Sequence, residues 1–368
     1  LTKGDVSGEI LVCSEGLSFW GGVDPDTGVI IDIHHPCYQR IISGKILMMP
    51  SSRGSCSGSG VLLALSLKNI APAAIVFCEA EEILSLGALV SEYIFKKPIP
   101  VARLTKKQYS ALANAKSASI QGCKIFTESE SYELNLVKPT GLSLTDTDQK
   151  YLDGRHGFAC KIAMQIICLM AAANGTNTLI EIQKGHIDGC ILAHSANLIF
   201  AEKMAELGAK VSVPTTINAI SVDRENWLSQ EIPEDFGKQA SRLADAYVEM
   251  GAKPVFTCAP YLLEERPEFG EIIGWSESNA VIYANSILGA RTLKHPDYLD
   301  LFIAMTGRAP ESGVYRDVGR TAQKIISVEI PDMEPDDVFW PIIGWLAGKA
   351  SPIQIPIIMG LENLNPDR

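Results

Sequence analysis

Two stretches of the sequence echo one another. Glu206-Leu207-Gly208-Ala209-Lys210 leads into Val211–Val213, and Glu249-Met250-Gly251-Ala252-Lys253 leads into Val255–Thr257. Each reads as a helix, a glycine stop, a strand and a Thr/Pro-rich turn, Pro214-Thr215-Thr216 in one and Thr257-Cys258-Ala259-Pro260 in the other. Helices alternating with strands restrict this half of the chain to an α/β sheet. Ligands of open α/β sheets bind beyond the carboxyl ends of strands, where both turns fall, although both also read as plain connecting loops.

The first part, up to about residue 125, has a different texture. Short β-branched runs (Gly8–Cys13, Gly28–Ile33, Lys45–Met49, Ala74–Phe77, Ile99–Ala102) alternate with turns, and two helical patterns, Val61–Asn69 and Lys106–Ala113, interrupt them. That predicts a small α+β or β/α unit. Residues 124–142 are polar, carry Pro139 and Gly141, and read as a connector. A long helical region from Leu142 through Ala173 follows, then a strand at Thr178–Gln183, a helix Ala196–Leu207 capped by Ser195, and a helical stripe of Phe236, Ala240, Leu243, Tyr247 and Met250. The expected domains are 1–125 and 143–368, joined by 126–142.

The chain has 368 residues, 46% of them hydrophobic, enough for two or three cored domains. Its 32 Lys and Arg stand against 43 Asp and Glu, a net charge of −11 with no basic block, which argues against nucleic acid as a partner. The longest nearly apolar run, Ile162–Ala173, is 12 residues and contains Gln165, so no membrane span is expected. No hydrophobic signal core stands at the N-terminus, although a chain starting at Leu1 is compatible with a removed leader. Nine scattered cysteines, an odd number without a CxxC pair, favour a reducing cytoplasm over a disulfide framework.

Pro50-Ser51-Ser52-Arg53-Gly54-Ser55-Cys56-Ser57-Gly58-Ser59-Gly60 lies between an apolar strand and an apolar helical run. A Gly/Ser loop opening a helix offers backbone N–H groups and the positive end of the helix dipole to an anion. Arg53 adds a guanidinium able to grip a carboxylate. The lysine of a P-loop and the GxGxxG pattern are both missing. A serine here serves as a base only if cationic and dipolar neighbours stabilise its alkoxide. The alternative is a flexible linker.

Lys184-Gly185-His186-Ile187-Asp188-Gly189-Cys190 could orient a substrate or ligate a metal, or hold a structurally bonded histidine. The other five histidines, His34, His35, His156, His194 and His295, read as structural, and Cys160 and Cys168 as buried small hydrophobes. Cys258, at a strand end before a polar stretch, is a candidate ligand or reactive thiol. Gly274–Ala280, continuing to Arg291, reads as an interior polar network.

Taken in order, these segments resemble the aconitase X family. Arg53-Gly54-Ser55 and Gly58-Ser59 resemble the signature of its small swivelling part. His186–Cys190, Val213–Asn218, Thr257–Tyr261, Gly274–Ala280, Asn285–Thr292 and Thr306-Gly307-Arg308 resemble successive motifs of its large part. The resemblance implies an α/β architecture: a small swivelling β/α domain followed by a larger aconitase-like α/β domain, incomplete at its C-terminal end. It implies a dehydratase in which an iron–sulfur cluster acts as Lewis acid on the leaving hydroxyl and a serine takes the proton. Carried over, Ser55 is the base, with Ser59, then Ser51 and Ser52, as alternatives. Arg53 and Gly54 hold the anion together with Ser59. His186, Asp188, Thr215, Thr216 and Asn218 line the pocket, and Cys258 is one cluster ligand. Members with both parts fused, as here, typically dehydrate cis-3-hydroxy-L-proline to Δ1-pyrroline-2-carboxylate, and split archaeal relatives dehydrate mevalonate 5-phosphate. A non-catalytic small-anion-binding subunit of the same fold is the other alternative. The expected partner is a small carboxylate substrate, with oligomeric state left open. The family's large part continues beyond Asn365-Pro366-Asp367-Arg368, so the remaining cluster ligands are expected outside this segment.

Overall fold

The computed structural model describes residues 1–330 and 336–361. The end of the expected large domain, 362–368, lies outside the described residues. The chain forms two compact units, 1–311 and 312–368.

The first unit opens with β1 (Val6–Val12), β2 (Ile46–Met48), α1 (Gly58–Leu67), β3 (Ala74–Phe77), α2 (Ile83–Tyr93), β4 (Val101–Arg103), α3 (Lys106–Leu112), β5 (Ser117–Gln121), β6 (Lys124–Phe126) and β7 (Ser131–Glu133). Among the described residues these strands make a seven-stranded sheet in the order β4-β3-β2-β1-β5-β6-β7. The four from β4 to β1 run parallel; β5, β6 and β7 are added antiparallel. Both faces of the parallel part are buried: Leu47, Ile75 and Val101 pack one way with Val61, Leu62, Leu84 and Ala88, while Ile46, Met48, Ala74 and Val76 pack the other way with Tyr109 and Leu112. Continuous apolar strands such as Lys45–Met49 are the sequence signature of that double burial.

Two readings change here. Gly28–Ile33 is no strand; Val29 and Ile30 make only isolated bridges to Ile41 and Val23, because the segment folds back on its own loop. The polar connector begins as a β6–β7 hairpin, its register set by Ile125 facing Tyr132.

Next come α4 (Asp146–Leu152), α5 (Phe158–Ala173), β8 (Leu179–Glu181), β9 (Lys184–Ile187), α6 (Ser195–Glu206), β10 (Thr215–Ile217), α7 (Glu234–Glu249), β11 (Ile273–Trp275), α8 (Ser278–Tyr283), α9 (Leu299–Thr306) and β12 (Arg308–Pro310). The long helical region is thus two helices, broken where Gly154 and Gly157 take φ of +80° and +93°. β10, β9 and β11 form a parallel three-stranded sheet with β9 central, and β8 pairs antiparallel with β12.

The echo survives as two helices but not as two strands. Val211 and Ser212 donate their amides to Met250 O and Ala304 O (both 2.8 Å) instead of to a strand neighbour. The strand is the following Thr-rich segment, β10. Of the second copy a Thr216–Lys253 bridge and the bond from the Thr257 amide to Ile217 O (3.2 Å) remain. The expected Lys184–Cys190 loop likewise begins as strand β9, and the expected strand over 178–183 shrinks to β8. The cap of α6 falls at His194, whose amide donates to Asn197 Oδ1 (3.2 Å), rather than at Ser195. Helix α7 buries Ala240, Leu243, Tyr247 and the following Met250, leaving Phe236 partly exposed.

The second unit contains β13 (Lys324–Ser327), α10 (Phe339–Ala350) and β14 (Pro356–Met359), with β13 and β14 parallel. No helix of the described residues is long and apolar enough to cross a membrane.

Candidate active site

The Gly/Ser segment leaves the carboxyl end of β2, beside β1, where the sheet's strand order reverses. A bridge between Ser18 and Arg53 ties it to the loop after β1. Gly54 sits at φ +91°, and a Cβ there would fall 2.3 Å from Ser18 Oγ, so only glycine fits. From here the segment runs to the tips of the second sheet. The Cys56 thiol reaches Asp188 Oδ2 at 3.7 Å and Ser276 O at 3.9 Å.

Asp188 follows β9. Its Oδ1 accepts from Asn218 Nδ2 at 2.6 Å, and its amide donates to Asp300 Oδ2 at 2.8 Å. Asn218 in turn accepts from the Cys190 amide (2.8 Å). Asp300, in the first turn of α9, also accepts from Ser276 Oγ (2.6 Å) and the Leu301 amide (2.7 Å). Burial, then the nearby Glu277 and Asp300 carboxyls, raise Asp188 to about 7. Burial and the charges of Asp188 and Asp300 also hold Asp297 well above the usual carboxylate range, and its Oδ1 is buried without a hydrogen-bond partner. Cys56, Asp188 and Asp297 bring their ligating atoms within 4.8 Å of one another.

His186 is fully buried in the centre of β9. Its Nδ1 lies 2.8 Å from Thr216 Oγ1 on β10 and its Nε2 3.2 Å from Glu277 Oε2, with the Trp275 ring edge-on at 5.9 Å. Thr215 is committed to Val213 O (2.8 Å). The Cys258 thiol is pushed up to about 11, by partial burial and then by its bond to Glu277. His186, Asp188, Thr216, Asn218 and Cys258 therefore belong to one network with Glu277, and Thr215 supports its backbone.

Along the Gly/Ser segment the serines separate. Ser51 donates to Ala80 O (2.9 Å) and Ser52 to Glu81 Oε1 (2.5 Å). Ser59 is buried and donates to Cys56 O (2.8 Å) and Asp297 O (3.4 Å). Ser55 Oγ instead meets Ser57 Oγ at 3.3 Å and Cys56 Sγ at 3.9 Å, and the Ser57 hydroxyl bonds the Asp297 side chain. The amides of Gly58, Ser59 and Gly60 donate to Ser55 O, Cys56 O and Ser57 O (3.1–3.5 Å), so the helix start is less open than an anion cradle requires. Arg53 is partly exposed, bonded to Asp32 at 3.0 Å and near Glu15 at 3.8 Å.

The sequence reading missed Cys56, Asp297, Asp300 and the role of Glu277. One signal was present: Asp297 and Asp300 stand three apart after Pro296, at the entry to α9.

The aconitase X swivel-domain pattern matches residues 1–127, and the aconitase X first-domain pattern matches 141–318. The chain belongs to the aconitase X family. As an aconitase X chain it is 46% identical to cis-3-hydroxy-L-proline dehydratase of Pseudomonas aeruginosa over 375 residues, 100% of this chain and 64% of the relative. The enzyme of the same name from Hypocrea jecorina is 44% identical over 379 residues, 99% of this chain and 63% of the relative. This chain thus spans less than two thirds of the length of either. A crystal structure of Thermococcus kodakaraensis aconitase X in its holo-form matches with a TM-score of 0.55 at 30% identity, covering 62% of this chain and 56% of that one. The fold is that of the family: a swivel domain followed by a larger aconitase X domain, in mixed α/β architecture.

An iron–sulfur cluster takes three or four thiolates. At this site the groups that converge are one thiol, Cys56, and two carboxyls, while Cys258 is bonded to Glu277. The described residues therefore do not fit a cluster's full ligand set.

Proposed function

We propose that the protein is a hydro-lyase that removes water from cis-3-hydroxy-L-proline to give Δ1-pyrroline-2-carboxylate. The observation that carries this reading is the Cys56–Asp188–Asp297 convergence at the junction of the two matched domains, with Asp297 Oδ1 buried and unpartnered. A convergence of carboxyl groups suits the secondary ammonium of a hydroxyproline better than a phosphate dianion. That, with the relatives' names, favours the amino acid over mevalonate 5-phosphate.

Ser55 is the base. It takes the Cα proton while passing its own through Ser57 to Asp297, along the contacts described above. Asp297 enters the step as the carboxylate, and surroundings that favour its protonated form draw the proton onto it. Asp188, near 7, donates the proton that lets the C3 hydroxyl leave as water. The C2–C3 double bond forms, and the enamine tautomerises to the imine as its nitrogen loses a proton and C3 gains one. Asp188 and Asp297 then re-equilibrate their protons.

Arg53 grips the substrate carboxylate by exchanging its looser contact to Glu15, with Gly54 and Ser59 shaping the approach. His186 and Thr216 hold Glu277 in place, and Asn218 aims Asp188. The seven-stranded domain swings over the rest on the part of the 126–142 connector that follows β7. Cys258 is the residue that would contribute a thiolate to an iron–sulfur cluster, which would supply Lewis acidity toward the C3 hydroxyl. The thiols, free in all nine cysteines, fit a cytoplasmic enzyme.

The test is side-by-side incubation with cis-3-hydroxy-L-proline and mevalonate 5-phosphate, products identified by mass spectrometry. Dehydration of the hydroxyproline supports the reading. Dehydration of the phosphate alone, or of neither, overturns it.

A further inference from the structure

A second convergence of ligating groups lies away from the candidate active site. Cys13, at the end of β1, and His35 and Cys37, in the loop before β2, bring one ligating atom each within 4.8 Å of one another, and all three are buried. The sequence scatters them over 25 residues, as an apparently structural histidine and two of the nine dispersed cysteines.

The loop is shaped to present them. The His35 amide donates to Asp32 O (3.1 Å), and the Cys37 amide donates to His35 Nδ1 (3.1 Å). Cys37 Sγ donates to Val12 O (3.4 Å), which brings it beside Cys13. The other ring nitrogen, His35 Nε2, is buried with no hydrogen-bond partner, although His35 is only 2% exposed. A buried polar atom without a partner asks for a water or an ion. Two thiols and an imidazole, with no carboxylate among them, are the soft donor set that selects zinc(II) or copper(I) over magnesium or calcium.

We propose that Cys13, His35 and Cys37 bind a single thiophilic metal ion, zinc(II) in first place, that fastens the loop over residues 32–40 to the end of β1. Binding displaces the two thiol protons to solvent. Ligation through Nε2 moves the ring proton to Nδ1 and turns the Cys37 amide toward a thiolate sulfur. The same loop carries Asp32, which pairs with Arg53, so the ion fixes the position of that guanidinium without touching substrate. The proposal is independent of the dehydratase reading.

The test uses the purified full chain, kept reduced and dialysed, with zinc, copper and iron measured by elemental analysis. The expected result is about one zinc or copper ion per chain, retained in Cys258→Ser and falling below roughly one tenth in Cys13→Ser and in His35→Gln. Copper(I) in place of zinc, read with a copper(I)-specific chelator, supports the same site. Because Cys13→Ser lies in the core and could unfold the domain, the wild-type chain is also stripped of metal and titrated with cobalt(II). A thiolate-to-cobalt charge-transfer band, absent in His35→Gln of native circular dichroism, supports the site. Equal metal content in wild type and both variants, or a Cys13–Cys37 disulfide in the alkylated protein, overturns it.

Discussion

The Cys56 thiol donates to Asp188 Oδ2 across 3.7 Å of space and 132 residues of sequence. It joins the matched swivel and first domains at one point, and Asp297 closes the triangle. The electrostatics of this triangle are acidic, whereas the Gly/Ser segment alone predicts an electropositive site. The expected helix-start cradle has its amides engaged, and Arg53 already faces two carboxylates. A cationic guest, whether a substrate ammonium or a metal, therefore matches this junction better than an anion does.

Asp188 makes stability depend on pH in a definite direction. Its folded value, about 7, lies above the ordinary carboxyl value, so between about 4 and 7 the native state holds a proton the unfolded chain has lost. Stability is then present at low pH and declines as pH rises through 7. Urea denaturation from pH 4.5 to 8 should show that fall, and Asp188→Asn should flatten it by up to about 1.4 kcal/mol per pH unit. An unchanged slope in the variant contradicts the assignment.

The two thiols at the junction should react in order. Burial, together with Asp297 and Asp188, pushes Cys56 further up than Cys258, which stands at about 11 and is more open. Only the thiolate is nucleophilic. Peptide mapping after iodoacetamide treatment should find Cys258 labelled first, with Cys56 labelling faster in Asp188→Asn than in wild type. Equal rates for Cys56 in both proteins count against the Asp188 contact.

Arg308 and Asp148 form an ion pair at 2.8 Å (Nε to Oδ1), with the carboxylate fully buried and also accepting the Thr145 amide that begins α4. Removing the cation leaves an uncompensated buried charge, so Arg308→Ala should lose about 3–5 kcal/mol of unfolding free energy. The Arg53–Asp32 pair is half exposed, and Arg53→Ala should change stability by less than about 1 kcal/mol while raising KM for the substrate. A reversed ranking by chemical denaturation would refute both assignments.

The parts of this architecture written in the sequence are those dictated by local pattern. The apolar strands from Lys45 and Ala74, the α7 stripe and the stretch Pro50–Gly60 between strand and helix could all be read directly. What failed was governed by long-range pairing. Val211–Val213 has strand composition, yet its amides go to Met250 and Ala304, which no local pattern reveals. His186 looked like a loop residue because Gly185 beside it suggests a turn; pairing of β9 with both neighbours overrides that. Cys56, Asp297 and Asp300 were invisible as site residues because their meaning arises only when α9 and the Gly/Ser segment meet.

Ser55 stands out among the segment's serines because Ser51 and Ser52 are bonded to Ala80 O and Glu81, and the buried Ser59 to the backbone carbonyls of Cys56 and Asp297. The most direct measurement is kcat for cis-3-hydroxy-L-proline in Ser55→Ala beside substrate affinity from calorimetry. The account predicts a kcat loss of about 10²–10⁴-fold with affinity changed less than about threefold. Wild-type turnover in Ser55→Ala, or a loss confined to affinity, would contradict it.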